Sequence, residues 1–190
     1  MSSNSKKTII SSKEKILEDY FLAVQSREIS LLGRKEVFMG KAKFGIFGDG
    51  KEIAQIVLSK MFKKGDWRSG YYRDQTLMLA LKLLTPEQFF AQLYAHADVE
   101  FEPSSGGRMM NSHYGTRSLD SLGQWKNLTN QINSSSDISP TASQMPRLLG
   151  LAFASKLFRK NKALYNFRQF SNKGNEIAFG TIGNASTSEG

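Results

Sequence analysis

The stretch that decides the fold reads IAFGTIGNASTSEG and occupies residues 177–190. Its first part is apolar and β-prone, which predicts a buried strand. From Gly183 onward the residues are small or polar, which predicts a turn. A strand that feeds such a turn is where α/β proteins hold phosphates, because small residues let backbone N–H groups approach an anion. We therefore expect an α/β fold whose anion-binding loop is cut off partway, in a chain that is a fragment of a larger enzyme.

The composition is that of a globular chain. Of the 190 residues, 39% are hydrophobic and 11% aromatic, which is enough to bury a core. No apolar run is long enough to span a membrane, and the first residues lack the apolar segment of a secretory signal. The absence of Cys excludes disulfides, thiolate catalysis and Cys-ligated metal centres. These features predict a cytoplasmic protein without membrane contacts.

The net charge of +9 indicates an anionic partner: a phosphate ligand, an acidic protein surface or nucleic acid. The basic residues are scattered in ones and twos, and the sequence contains no compact basic stripe with interleaved aromatics. This distribution argues against nucleic acid as the partner.

Helical spacing of apolar residues dominates the first half of the chain. A flexible tail is predicted for residues 1–12 and a helical region for 13–97, whose first helix covers about 12–30. Four glycines make 40–50 a loop. The sequence TPEQ at 85–88 has the cap, the Pro and the Gln of a well-formed helix start.

The second half is dominated by loops. Residues 98–144 show no long periodic segment and are rich in Ser, Gly, Asn and Thr. Loops of this length are uncommon in a compact domain unless they are functional, so we expect active-site loops here. Residues 145–190 predict a helix, a loop and the strand that enters the turn. We assign residues 1–190 to the N-terminal part of one domain.

Four motifs carry a resemblance to a known family. They are GYYRDQ at 70–75, GRMMNSHYG at 107–115, SPTASQMP at 139–146 and the turn at 183–190. In this order and spacing they resemble the α-subunit part of the thiamine-diphosphate-dependent 2-oxo acid dehydrogenases. These enzymes are the decarboxylating first components of the pyruvate and branched-chain complexes. The resemblance starts near residue 15 and is strongest to bacterial forms with fused α and β parts.

The resemblance implies a fold, an activity and partners. The fold has N-terminal helices that lead into a thiamine-diphosphate-binding fold, truncated at the cofactor and metal loop. The enzyme decarboxylates a 2-oxo acid with thiamine diphosphate and Mg²⁺ and acylates a lipoyl group on the acyltransferase component. The implied partners are a β part, the lipoyl-bearing acyltransferase, the 2-oxo acid and further copies in a homo-oligomer. The fragment alone is expected to be inactive.

Tyr72 and Arg73 are the first candidate cofactor-binding residues. The guanidinium of an Arg can pair with two phosphate oxygens, and a phenol adds a neutral donor. The resemblance implies that this pair binds the cofactor diphosphate. The alternative is a structural Arg73 that forms an ion pair with Asp74 or another carboxylate beside a core Tyr.

His113 is the candidate catalytic residue. An imidazole donates or accepts a proton near neutral pH, and the resemblance places this His at the catalytic centre. The alternative is a loop His that is hydrogen-bonded to the backbone. His96, late in a helix, is expected to be solvated or to interact with the helix dipole.

The resemblance also implies contacts from Ser139 and Thr141 to the aminopyrimidine side of the cofactor. Some members bind K⁺ near this segment, through neighbours that match Ile138, Pro140, Ser143 and Gln144. The alternative for these small residues is capping of the following helix, and both roles are compatible.

The turn at Gly183, Asn184 and Ala185 is the expected diphosphate and Mg²⁺ site. In the family an acid occupies the position of Asn184 and a second Gly that of Ala185. An amide oxygen still ligates a hard cation, although it brings no negative charge. The alternative is a turn without a ligand.

Two other functions compete with the enzyme. The first is an assembly domain that keeps the fold without binding the cofactor. The Asn at position 184, where the family has an acid, favours this function. The second is a basic nucleic-acid-binding module, suggested by the net charge.

Overall fold

A computed structural model describes residues 3–189, with side chains from residue 12 onward. The first two residues of the expected tail and Gly190 of the terminal turn lie outside this range. The helices are α1 Ser3–Phe38, α2 Glu52–Ser59, α3 Gln75–Ala80, α4 Pro86–Leu93, α5 Gln144–Lys160 and α6 Ser186–Glu189. The strands are β1 Trp67–Ser69, β2 Asn133–Ser134 and β3 Ala178–Gly180, and short 3-10 turns cover Leu128–Asn130 and Lys162–Leu164.

The three strands form a parallel sheet in the order β2-β1-β3. Trp67 pairs with Asn133 of β2 on one side and with Ala178 of β3 on the other. Helix α2 precedes β1, and α3 and α4 lie between β1 and the long loops. Helix α5 packs against β1 and β3. In a parallel sheet all carboxyl ends meet at one edge, where α/β proteins place their ligands.

The core lies between α1, α3, α4 and the loops beside them. Its central side chains are Phe89, Met78 and Tyr114, which are almost completely buried. Two polar contacts fix α1 to the first residues of α3: Gln75 Nε2 donates to the Ser26 carbonyl at 2.8 Å, and the Ser26 and Thr76 hydroxyls lie 2.7 Å apart. Gln75, the last residue of the motif at 70–75, and the following Thr76 therefore connect α3 to α1.

Several predicted elements are confirmed. The capping box at Thr85 is present, with its hydroxyl accepting from the Gln88 N–H and the Gln88 side chain accepting from the Thr85 N–H. Helix α5 covers the predicted helix, and the loop at 40–50 is irregular. Helix α1 is longer than predicted and begins at Ser3, within the segment expected to be a flexible tail.

Two expectations about strands need correction. The region 13–97 is not purely helical, because the central strand β1 lies within it. β3 was expected to be buried, but within residues 3–189 it is an edge strand, half-buried at Ala178 and Phe179 and exposed at Gly180. The strand itself is where the sequence predicts it.

Candidate cofactor and active site

A cavity of about 570 Å³ lies at the carboxyl ends of β1 and β3. Residues 71–74 follow β1 and form one wall, and residues 181–186 follow β3 and form the opposite wall. Helix α2 closes a third side through Gln55 and Leu58, and Lys51 precedes that helix. The two segments that the sequence assigned to one cofactor, although about a hundred residues apart, thus face a common cavity.

Arg73 and Tyr72 bring a cation and a phenol to this cavity. One guanidinium nitrogen of Arg73 donates to the Phe47 carbonyl at 2.7 Å, and its Cζ lies 5.8 Å from the Tyr72 ring centroid. Gln55 Nε2 in turn donates to the Arg73 carbonyl at 2.8 Å. Arg73 is exposed and has no acidic partner among the described residues. The alternative of an Arg73–Asp74 ion pair is therefore wrong.

Asp74 instead pairs with the buried Arg68 of β1. Arg68 Nη2 lies 2.8 Å from Asp74 and 3.0 Å from Asp137, and all three side chains are almost fully buried. Burial raises the pKa of Asp74, against the opposing effect of Arg68. Burial likewise disfavours the Arg68 cation, but Asp137 and Asp74 outweigh it and hold the pKa of Arg68 above its ordinary value. The cluster of Arg68, Asp74 and Asp137 adjoins the cavity, because Asp74 is one of the lining residues.

Thr181 couples that cluster to the turn after β3. Its hydroxyl lies 2.7 and 2.8 Å from the two carboxylate oxygens of Asp74. Its carbonyl accepts from Gln144 Nε2 at 2.9 Å, and the Gln144 carbonyl accepts from the Ser69 hydroxyl at 2.8 Å. The start of the turn is therefore fixed relative to β1 and α5 by polar contacts on both sides.

His113 lies next to the cavity and is buried. Its ring stacks on Tyr72, with the centroids 6.3 Å apart and an interplanar angle of 24°. Nδ1 donates to the Asn111 carbonyl at 3.1 Å, and Nε2 lies 3.1 Å from the Ser139 hydroxyl, from which it accepts in the neutral ring. The backbone hydrogen bond of the alternative interpretation is present, together with side-chain contacts to two other candidate residues. His96, by contrast, accepts from the Asp98 N–H and is exposed.

The segment 138–144 is brought together with His113 through Ser139 alone. Thr141 is exposed and is not among the residues that line the cavity. Ser143 occupies the N-cap of α5 without a side-chain capping hydrogen bond, so the capping interpretation is not realised at that residue. Of the residues matched to a K⁺ site, Gln144 is buried and engaged by Thr181 and Ser69, while Ile138 and Pro140 are exposed.

Asn184 and Ala185 are exposed at the mouth of the cavity, and Gly183 is half-buried. A Cβ on Gly183 would meet the Tyr71 ring at 3.5 Å, an ordinary contact distance. Within the described residues there is no group of three or more acidic, His or Cys side chains that could hold a metal ion. Asn184 is therefore an exposed amide in the lining of the cavity.

One family model matches most of the chain. The model of the dehydrogenase E1 component family matches residues 22–190. The chain belongs to this family. E1 components depend on thiamine diphosphate, and the resemblance predicted from the four motifs is confirmed.

Among curated proteins, the E1 chain is similar to the 2-oxoisovalerate dehydrogenase subunit alpha of Bacillus subtilis (strain 168). The two are 29% identical over 127 residues, which are 66% of this chain and 33% of that protein. The chain thus spans about a third of the length of the curated relative it matches. Among the described residues of the E1 chain, no helix has the length and apolarity needed to cross a membrane.

Several site residues of the E1 chain were missed by sequence analysis. Lys51, Gln55, Tyr71 and Thr181 line the cavity, and Arg68 supports it from below. Tyr71 directly precedes Tyr72 and Arg73, and Thr181 lies within the stretch 177–190. Their position beside the predicted residues could have indicated them. Nothing local in the sequence marks Arg68 as buried, because its partner Asp137 lies on a distant loop.

Proposed function

We propose that this chain is the cofactor-binding part of a 2-oxo acid dehydrogenase of the α-subunit type. The enzyme decarboxylates a 2-oxo acid with thiamine diphosphate and passes the acyl group to a lipoyl group on an acyltransferase component. The observation that carries this proposal is the shared cavity: residues 71–74 and 181–186 face each other at the carboxyl ends of parallel strands. Such an edge is the usual ligand site of α/β proteins.

The donor set of the cavity fits a diphosphate. Arg73 and Lys51 are cationic, Tyr72 brings a phenol, and the only carboxylate in the lining, Asp74, is paired with Arg68. Arg73 would bind the diphosphate through its fork of N–H donors, a role supported by its lack of an acidic partner within residues 3–189. The cofactor, when bound, supplies the electron sink for decarboxylation. Gly183 and Ala185 would offer backbone N–H groups at the same end.

Asn184 is the residue that would meet Mg²⁺. Its amide oxygen is a suitable ligand for a hard cation, and the diphosphate would bring the negative charge that an Asn lacks. Among the described residues no group of three or more acidic, His or Cys side chains accompanies it, so Asn184 would act together with phosphate oxygens.

His113 would work at the reacting end. With Nδ1–H bound to the Asn111 carbonyl, Nε2 is the proton acceptor, and Ser139 donates to it. Stacking on Tyr72 holds the ring in place. A buried and oriented imidazole of this kind can take up or deliver a proton at Nε2 during decarboxylation or acyl transfer. Ser139 would act through His113. The contacts of Ser139 and Thr141 with the cofactor that the resemblance implies are part of this proposal, although neither residue lines the cavity. K⁺ binding near Ile138, Pro140, Ser143 and Gln144 is a further part of this proposal.

The partners follow from the proposed reaction. The enzyme pairs with a β part, fused or separate, and with a lipoyl-bearing acyltransferase, and it assembles as a homo-oligomer in the cytoplasm. Its relative acts, by name, on 2-oxoisovalerate, so branched-chain 2-oxo acids are the first substrates to test alongside pyruvate.

The direct test is calorimetric titration with thiamine diphosphate and Mg²⁺. It is performed on this chain and on the longest chain that its gene encodes, followed by 2-oxo acid decarboxylation with an artificial electron acceptor. The proposal expects saturable cofactor binding and cofactor-dependent decarboxylation in the longer chain. Decarboxylation that is absent under saturating cofactor and with all partners supplied would contradict it.

An assembly domain without cofactor is the second candidate, favoured by Asn184 in place of the expected acid. The two candidates differ in one measurement. An enzyme responds to Asn184→Asp with equal or tighter Mg²⁺-dependent cofactor binding, whereas an assembly domain shows no binding in either form.

A further inference from the structure

A second cavity, of about 530 Å³, lies at the opposite end of the sheet. Its lining comes from Lys64 just before β1, from residues 127–130 ahead of β2, and from residues 168–176 ahead of β3. These are the amino ends of the three strands, whereas the candidate cofactor cavity lies at their carboxyl ends. The two cavities share no lining residue, so this second one is independent of the function proposed above.

Positive charge dominates the second cavity. Lys64, Arg168 and Lys173 line it, and Glu176 is its one acidic residue. Among residues 12–189, whose side chains the structure describes, none of the three cations forms an ion pair. The Glu176 carboxylate is occupied by the Ser171 hydroxyl at 2.7 Å and by the Asn172 N–H. The cations are therefore left to attract an anion from solution.

Neutral donors accompany the cations. Asn127 Oδ1 accepts from the Thr129 N–H at 3.1 Å and from the Thr129 hydroxyl at 2.6 Å. This fixes the amide so that the Nδ2–H groups of Asn127 remain for a ligand. Lys173 makes a cation–π contact, with its Nζ 5.3 Å from the Tyr165 ring centroid. The cavity thus combines two ammonium groups and one guanidinium with the oriented amide of Asn127.

The walls of the cavity are tied to one another. Asp66 accepts from the Lys63 N–H at 2.7 Å and from the Ile177 N–H at 2.8 Å, which joins the loop before β1 to the start of β3. The Leu128 N–H donates to the Gln169 carbonyl at 2.7 Å, which joins the other two walls. A ligand therefore meets a preformed site and does not have to order three separate loops.

We propose that this cavity, here named the amino-edge site and defined by Lys64, Asn127, Arg168 and Lys173, binds a small phosphate-bearing molecule. Three cations favour a multiply charged anion over a single carboxylate, and Arg168 can pair with two phosphate oxygens at once. The volume lies in the range of small-molecule sites. The cations converge in one cavity and do not form an extended stripe, which selects a compact ligand over a nucleic acid.

The test is a titration of the isotopically labelled 190-residue chain with inorganic pyrophosphate, followed by NMR of the backbone amides. Binding at the amino-edge site shifts the amides of residues 127–130 and 171–176, and binding in the cofactor cavity shifts those of 181–186. We expect both sets to shift, with separate midpoints. Lys64→Gln combined with Arg168→Gln weakens binding at the first set at least tenfold and leaves the second set unchanged. Arg73→Ala does the reverse.

The matched control is Lys160→Gln combined with Lys162→Gln, which removes the same charge from exposed positions outside the cavity. It leaves both midpoints within about twofold. The site is refuted if residues 127–130 and 171–176 do not shift, or if the control weakens binding as much as the Lys64 and Arg168 variant. A single-stranded oligonucleotide that binds these residues more tightly than pyrophosphate at the same salt overturns the small-molecule assignment in favour of nucleic acid. Unchanged thermal unfolding verifies that the variants are folded.

Discussion

Arg68 and Asp137 form a two-point ion pair, with Nη1 3.0 Å from Oδ1 and Nη2 3.0 Å from Oδ2. Arg68 lies in β1 and Asp137 on the loop after β2, so the pair joins two neighbouring strands at their carboxyl ends. Asp74 binds the same guanidinium and links it through Thr181 to the turn after β3. One buried cation therefore holds together the segments that follow all three strands.

Replacement of this cation tests that arrangement. Arg68→Met leaves two buried carboxylates without their partner, and such a loss costs about 3–5 kcal/mol in the free energy of unfolding. Chemical denaturation measures it, and Arg117→Met, at an exposed Arg, is the control with little effect. A loss below about 1 kcal/mol for Arg68→Met would show that the cluster of Arg68, Asp74 and Asp137 is not structural.

Gly70→Ala tests the same cluster by crowding. A Cβ at Gly70 would lie 2.2 Å from Arg68 Cζ and 2.2 Å from an Asp74 oxygen. Overpacking of this kind typically costs about 1–3 kcal/mol in the free energy of unfolding, and here it also strains an ion pair. Gly150→Ala, in α5 with open space around it, should instead stabilise by about 0.5–1 kcal/mol. Opposite signs in thermal unfolding are the expected result.

Arg73→Ala tests the cofactor role in the active enzyme. The loss of a charge-assisted contact to phosphate is worth about 1.5–3 kcal/mol, which raises the cofactor concentration for half-maximal activity about tenfold or more. Arg117→Ala serves as the control. If the cofactor dependence of Arg73→Ala equals that of the wild type while the protein stays folded, Arg73 serves only its contact with the Phe47 carbonyl.

His113→Ala tests the catalytic role. Cofactor binding should be retained and turnover should fall by roughly 10²-fold or more if Nε2 transfers a proton in a limiting step. Decarboxylation with an artificial acceptor and lipoyl acylation are measured separately, so that a loss confined to one of them assigns the step. His96→Ala should have no effect. Rates within twofold of wild type in both assays would leave His113 as a loop residue satisfied by Asn111.

The ion pair between α1 and α2 predicts an acid-sensitive contact. Arg27 donates to the two Glu52 oxygens at 2.7 and 3.0 Å, and this hydrogen bonding lowers the pKa of Glu52 from 4.5 to about 2. A carboxyl with a lowered pKa stabilises the fold above its unfolded-state pKa and loses that contribution as the pH falls through the folded-state value. The stability difference between wild type and Glu52→Gln should shrink between about pH 4.5 and 2.

Local signals in the sequence predicted the elements that depend on local physics. The capping box at Thr85 and the helical spacing in α5 need only neighbouring residues, and both are present. β1 and β2 were missed because they are only two or three residues long and, apart from Trp67, polar. Their pairing partners are distant in the sequence.

The candidate site divides in the same way. The resemblance assigns Arg73 and Asn184 to one cofactor, and in the structure both residues line one cavity. The contact of Ser139 with His113 fits their common assignment, although no sequence rule fixes that distance. Arg68 could not be found, since a buried Arg is recognised only through its partners. The convergence of Lys64, Arg168 and Lys173 was likewise hidden, because scattered basic residues are brought together only by the fold.

The sheet order has a consequence for the time course of biosynthesis. β1 is made first but lies in the middle, and both strands that complete it are translated later. Asp66 and its partner Ile177 are 111 residues apart, so a ribosome that adds about 5–20 residues per second leaves the central strand without its second neighbour for roughly 6–22 s. During that interval β2, Asp137 and α5 are already made, but Asp74 still lacks the Thr181 hydroxyl that follows β3. The nascent chain therefore acquires its helical half early and its ligand-binding edge last.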